Sequence, residues 1–108
     1  MATQLIALTC AVGEGSEMTA SLGGELDLHT SAQVGPGLMQ FARLSGPEFT
    51  LDLSGLTFCD SSGIDLLLRV HQWCAACGTR LTLAGVPRLV AEPMRVLGAD
   101  RVLLPSGR

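Results

Sequence analysis

The sequence predicts a small α/β domain, a mixed sheet of about four to five strands with helices packed on it. Three observations carry this. In "EFTLDLSG", Phe49, Leu51 and Leu53 alternate with Thr50, Asp52 and Ser54, the period of a half-buried strand. From Ser62 to Cys77 the polar positions Asp65, Arg69 and Gln72, with Ala76, make one narrow stripe on an otherwise apolar helix. Strand-type and helix-type segments then alternate along the chain, which favours parallel pairing through right-handed crossovers. At 108 residues, with no visible repeat or boundary, residues 1–108 read as one domain.

Taken in order, "LIALTCAV" reads as a strand, "GEGS" as a turn and "EMTASLGGEL" as the returning strand of a hairpin. The segment "DLHTSAQVGPGLMQFARLSG" has helical spacing in its second half, with Leu38, Phe41 and Ala42 on one side. Gly35, Pro36 and Gly37 interrupt it, so a broken or short helix is expected there. The strand "EFTLDLSG" and the helix from Ser62 follow, and Asp65 and Arg69 can pair four residues apart on the wet face. Gly78 supplies the helix stop. "TRLTLAG" reads as a strand and "VPRLVAEPMRVLGA" as a helix that Pro93 should kink or shorten. "RVLLP" is at most a short last strand.

Composition narrows the function. The 47% hydrophobic content excludes a disordered chain. Charged residues are 16%, against about 25% in ordinary soluble domains, which suits a protein that docks on another. The net charge of -3, and seven basic residues that are all scattered arginines, argue against a nucleic-acid surface. No apolar run is long enough to span a membrane, and the N-terminus lacks the charged start of a signal peptide. A cytoplasmic location is expected. The four cysteines, Cys10, Cys59, Cys74 and Cys77, should then be reduced and buried.

"FCDSSGIDLLL" places two hydroxyls between Asp60 and Gly63 at the mouth of the apolar helix. If Ser62 is the N-cap, Asp65 stands three residues on, a capping-box variant, and Ser61 lies outside with its hydroxyl free. If Asp60 caps instead, both serines fall in the first turn. In either register Ser61 is near the positive end of the helix dipole, where a phosphate is tolerated. Phosphorylation would put about -1.5 to -2 charges beside Asp60 and repel any partner shaped for a neutral hydroxyl. Plain turn and cap chemistry explains the same residues without any function.

"LDLSGLTFCDSSGIDLLL", Leu51 to Leu68, resembles the signature of STAS-domain anti-sigma factor antagonists, a strand and short loop followed by Asp-Ser-Ser/Thr-Gly opening a helix. "GELDLHT", Gly24 to Thr30, is similar to a second segment of that family, and the spacing and later order agree across nearly the whole chain. The resemblance implies a STAS-like fold and a switchable binding module rather than an enzyme, with no cofactor or metal of its own. It implies Ser61 as the phosphate acceptor, with Ser62 the less favoured alternative. Asp27, Asp60, Ser61, Ser62 and Gly63 would form the partner-binding surface. The implied partners are an anti-sigma factor serine kinase, which carries the ATP and magnesium, and a metal-dependent serine phosphatase. The alternative is a STAS scaffold module of a larger signalling assembly. Against the family pattern stand the Gly35 to Gly37 interruption, Pro93, and an end at "LLPSGR" where many relatives continue into another helix.

Other constellations are weaker. "CAAC", Cys74 to Cys77, ends a helix, where the dipole opposes thiolate formation, and no second ligand pair for zinc is present. A serine hydrolase needs a base and an oxyanion hole. His29 and His71 are the only histidines, and there is no G-x-S-x-G elbow. His29 is expected near the start of the first helix beside the cap candidate Thr30, His71 on a surface or half-buried, and Trp73 in or near the core.

Overall fold

The computed structural model describes residues 6–13 and 17–104. Strand β1 (Ile6–Val12) and strand β2 (Met18–Leu26) form an antiparallel hairpin. Residues 14–16 of the expected turn lie outside the described residues, but the Gly13 N–H donates to the Glu17 carbonyl at 2.8 Å and closes the hairpin. Helix α1 (Leu28–Leu44) leads to β3 (Glu48–Cys59), and helix α2 (Ser61–Ala76) leads to β4 (Arg80–Ala84). Helices α3 (Arg88–Val96) and α4 (Asp100–Leu103) follow. The sheet order is β1-β2-β3-β4, with β2, β3 and β4 parallel.

Right-handed crossovers that step steadily across a sheet place α1 and α2 on the same face. The burial pattern agrees. Met18, Ala20, Leu22 and Leu26 of β2 and Phe49, Leu51 and Leu53 of β3 are buried, while Thr19, Ser21, Thr50, Asp52 and Ser54 are not. Helix residues Val34, Leu38, Ile64, Leu67, Val70, Val90 and Met94 fill the other side of the core. Each large aliphatic chain so buried contributes about 1.5–3 kcal/mol.

Helix α1 runs unbroken through Gly35, Pro36 and Gly37, contrary to the interruption expected there. Local propensity costs about 3 kcal/mol for an interior proline and about 1 kcal/mol per glycine. Burial of Thr30, Val34, Leu38 and Ala42 along one face outweighs that cost. A capping box at the start helps: the Thr30 N–H donates to Asp27 Oδ1 at 2.9 Å, and the Asp27 N–H donates to Thr30 Oγ1 at 2.9 Å.

Strand β3 is longer than "EFTLDLSG", because Ser54 and Gly55 do not end it. Register shifts against β2 between Ser21 and Gly23, and again between Gly24 and Glu25, absorb extra β3 residues as bulges. A Cβ on Gly55 would lie 3.1 Å from Gly23 Cα, so the backbones approach closely at the first of these.

The last strand expected from "RVLLP" is instead the short helix α4, so the sheet has four strands. The Leu103 N–H donates to the Ala99 carbonyl at 2.9 Å, and this turn buries Ala99 and Leu103 on one side. Pro93 sits inside α3, which continues to Val96 because the missing N–H costs one bond to the first turn. Gly78 and Gly98 both close helices at positive φ, 74° and 75°. In each case the glycine's own amide and the next one bond back to the last turn, as between Thr79 N–H and the Cys74 carbonyl at 2.8 Å.

All four cysteines are free, but only Cys59 and Cys74 are buried. Cys10 lies on the edge strand β1 and Cys77 caps the end of α2, so both are exposed, against expectation. Burial, with Asp60 nearby, pushes the Cys59 thiol up to about 11, and burial likewise raises Cys74 to about 11. Two thiols should therefore react fast with an aqueous disulfide reagent at neutral pH, and two only on unfolding; four fast thiols would contradict this packing. A raised thiol value stabilises the fold below about pH 8.5, the unfolded value, and that stability is lost as pH rises through the folded value. The melting temperature should fall between about pH 9 and 11, and fall less in a variant with both buried cysteines changed to alanine.

Candidate functional site

The parallel strands β2 and β3 end side by side, and each is followed at once by a helix. The Asp60 N–H donates to the Leu26 carbonyl at 3.2 Å, which ties the two helix starts together. Each helix is capped by an aspartate: Asp27 caps α1 and Asp60 caps α2.

The Asp60 cap decides the register left open by the sequence. Asp60 Oδ1 accepts from the Ser62 N–H at 3.0 Å and the Gly63 N–H at 3.2 Å. Ser62 is not the cap, and Asp65 is not its capping-box partner. Asp65 instead pairs with Arg69 at 3.0 Å on the wet face, as the stripe predicted. Both partners are more than half exposed, so the pair contributes only a few tenths of a kcal/mol. Ser61 becomes the first helical residue, exposed, with the cap amides already served by Asp60. Ser61 thus stands at the positive end of α2.

Asp60, Ser62 and Asp27 are half-buried. Thr30 holds Asp27 from two sides and donates its own hydroxyl to the Glu25 carbonyl at 2.6 Å. The Thr30 amide, followed by its hydroxyl, holds the Asp27 carboxyl below its usual range. A lowered carboxyl favours the fold above the ordinary carboxylate range, and this support is lost as pH falls through the folded value. Gly63 is buried and presents no side chain to the surface; its position brings α2 against Leu26 and Cys59.

Two exposed apolar residues stand at this edge that the sequence reading did not single out. Leu28, the first residue of α1, is 74% exposed, and Phe58, near the end of β3, is 46% exposed. Phe58 had a signal, since it is out of phase with Phe49, Leu51 and Leu53. Leu28 had none beyond its place directly after Asp27.

From this edge a groove of about 550 Å³ runs between α1 and α2. Leu28 and Ser61 line it at one end of the two helices, and Met39 and Trp73 line it further along. Trp73 is half-buried and also packs on the core, as expected. His29 is exposed in the first turn of α1, and His71 is half-buried on α2.

The family model described as "Mlab, STAS domain" matches residues 11–105. The chain belongs to the STAS domain family. Solved structures with the same fold include an anti-sigma factor antagonist from Mycobacterium paratuberculosis, with a TM-score of 0.79 at 19% identity over 91% of this chain and 82% of that one. The anti-sigma factor antagonist SpoIIAA in its unphosphorylated form gives 0.73 at 21% identity, over 90% of this chain and 85% of that one. The phosphorylated form of the Bacillus cell fate determinant SpoIIAA gives 0.68 at 20% identity, over 90% and 88%. A comparison with curated proteins returns no significant match. At these identities the structural likeness speaks for the fold, and it agrees with the four-stranded mixed sheet of this STAS domain. No helix among the described residues is long and apolar enough to cross a membrane.

Proposed function

We propose that this STAS domain is an anti-sigma factor antagonist that works by binding, not by turnover. Its unphosphorylated form captures an anti-sigma factor that is also a serine kinase, with ATP and magnesium on the partner, and so releases a sigma factor. Phosphorylation of Ser61 ends the capture, and a serine phosphatase restores it. The setting is the cytoplasm, without direct contact to nucleic acid.

The observation that carries this reading is the position of Ser61. Asp60 occupies the amides of the first turn, which leaves the Ser61 hydroxyl exposed at a helix N-terminus. A phosphate there gains from the dipole but faces Asp60. Asp27, Asp60, Ser61 and Ser62 supply the polar part of the docking surface, and Leu28 and Phe58 its apolar anchors. Gly63 acts by packing beneath it. Structural relatives described as anti-sigma factor antagonists, one solved both with and without phosphate, support the same reading.

The test is an in-vitro reaction with the cognate anti-sigma kinase and Mg-ATP, followed by intact-mass analysis and mapping of the modified residue. Wild type should gain one phosphate at Ser61, and Ser61→Ala should stay unmodified while still binding. Equal labelling of Ser61→Ala would overturn the residue. Stable high-order particles of this chain, formed without any kinase, would favour a scaffold instead.

A further inference from the structure

We propose that this chain forms a two-fold dimer in which strand β1 of one copy pairs antiparallel with β1 of a second copy. The contact lies on the far side of α1 from Ser61 and does not depend on the phosphorylation switch. β1 ends the sheet, and its outer backbone groups have no partner among the described residues. Such an edge offers donors and acceptors in a row, so the occupant that fits it is another strand. Native edges are blunted by charge, proline, a bulge or short length. β1 has none of these. Its seven residues, Ile-Ala-Leu-Thr-Cys-Ala-Val, carry no charge and no proline, and all of them pair with β2 without a register shift. At about 3.4 Å per residue they offer a ladder of about 24 Å. The opposite edge, β4, has five residues and opens on Arg80.

The side chains beside this edge choose the strand. Leu22, Ala20 and Met18 of β2 are buried, so Leu8, Cys10 and Val12 directly opposite them face the helix layer. Leu8 is half-buried there, but Cys10 is exposed and Val12 is 65% exposed. A Cβ on Gly37 would lie 3.0 Å from Leu8 Cδ2, so Gly37 marks the flank of α1 that faces β1. Phe41 and Leu44 follow Gly37 on that flank at helical spacing. Phe41 is half-buried and Leu44 is 64% exposed. Helix α1 runs back from the end of β2 to the start of β3, so Leu44 stands at the Val12 end of the hairpin.

A lone foreign strand would complete the ladder and leave Phe41 and Leu44 uncovered. An antiparallel second copy is related by a two-fold axis perpendicular to the sheet, so it brings its own α1 to the same face. Two four-stranded sheets become one of eight strands, and the two α1 flanks close over Leu8, Cys10 and Val12 of both copies. The contact is isologous, so any charge in it would meet its own copy near the axis. None stands on β1, and Gly37, Gln40, Phe41 and Leu44 of α1 are neutral as well.

The test is sedimentation equilibrium of the full chain over a concentration series. The mass should rise from one chain to two and no further, because a closed two-fold contact uses each β1 edge once. Thr9→Lys, at an exposed position of β1, should keep the chain single by setting two lysines near the axis. Leu44→Glu, exposed on α1, should weaken the dimer about 10-fold or more and keeps the test readable if Thr9→Lys fails to fold. Thr82→Lys, its counterpart on the β4 edge, should leave the dimer unchanged. Alkylation locates the contact: Cys10, fast in the single chain, should slow as concentration rises, while Cys77, the other exposed thiol, keeps its rate. A single-chain mass up to about 1 mM, or species beyond two chains, would overturn the proposal. So would a dimer that persists in Thr9→Lys, is unchanged in Leu44→Glu, is lost in Thr82→Lys, or leaves Cys10 as reactive as in the single chain.

Discussion

On the proposed function, Ser61→Asp should weaken capture of the cognate anti-sigma kinase by about 100-fold or more and leave the free domain folded, as read by calorimetric titration. The two halves of the expectation have different causes. In the free protein an added acid at the first helical position meets the positive end of the α2 dipole, worth about 0.3–1 kcal/mol in favour of the helix. The neighbouring Asp60 carboxylate, held by the amides of Ser62 and Gly63, offsets part of that gain. The net effect on the melting temperature should be small. In the complex the same acid stands at the mouth of the groove that Leu28 also lines, where the proposed partner must approach closely. A desolvated or repelled charge there costs several kcal/mol. Ser61→Ala removes the hydroxyl without adding charge and should keep affinity within a few-fold of wild type. If Ser61→Asp bound as tightly as wild type, the switch would not reside in the charge at this position.

Much of this arrangement was legible in the sequence because its cause is local. The alternation of Phe49, Leu51 and Leu53 marks β3, since one face of the sheet is buried. The stripe of Asp65, Arg69, Gln72 and Ala76 is exposed on α2, as its spacing requires. Gly78 stops that helix at positive φ. The junction of β3 and α2 was legible too, because a strand end, an Asp-Ser-Ser-Gly turn and an apolar run form one continuous segment. Which residue caps α2 was not, since Asp60 and Ser62 are both good caps and only the tie from the Asp60 amide to Leu26 separates them.

The features that escaped the sequence are those decided by contacts between distant segments. Pro36 looks like a break because the loss of an amide is local, whereas the burial of Val34 and Leu38 that offsets it depends on the sheet. The bulges in β3 are defined only against β2, so Ser54 and Gly55 read as a strand end. "RVLLP" reads as a strand because it is short, apolar and closed by a proline, yet the turn that buries Ala99 with Leu103 makes Val102 and Leu103 helical. The groove belongs to two helices that only the folded sheet brings side by side.

Gly63→Ala should lower the stability of the domain by about 1–3 kcal/mol, read as a fall in melting temperature of roughly 5–20 °C. The sign is the informative part. Helix propensity alone predicts the opposite, because alanine in a helix is favoured over glycine by about 1 kcal/mol. Packing overrules it here. A Cβ on Gly63 would lie 2.7 Å from Cys59 Sγ, 2.9 Å from Leu26 Cγ and 2.9 Å from the Leu26 carbonyl oxygen. A sulfur at the end of a short side chain can give way, but the Leu26 carbonyl cannot, because it accepts the Asp60 amide that joins the two helix starts. The start of α2 must therefore move outward, and Ser61 moves with it. Adding Cys59→Ala to Gly63→Ala should recover part of the stability by removing the sulfur contact, but not all of it, since the carbonyl contact persists. A Gly63→Ala variant that melts at or above the wild-type temperature would show that α2 does not rest on the end of β2 as closely as described. The same variant links fold to function: if it still folds, its displaced Ser61 should be phosphorylated more slowly than in wild type, although no group that touches the partner has been changed.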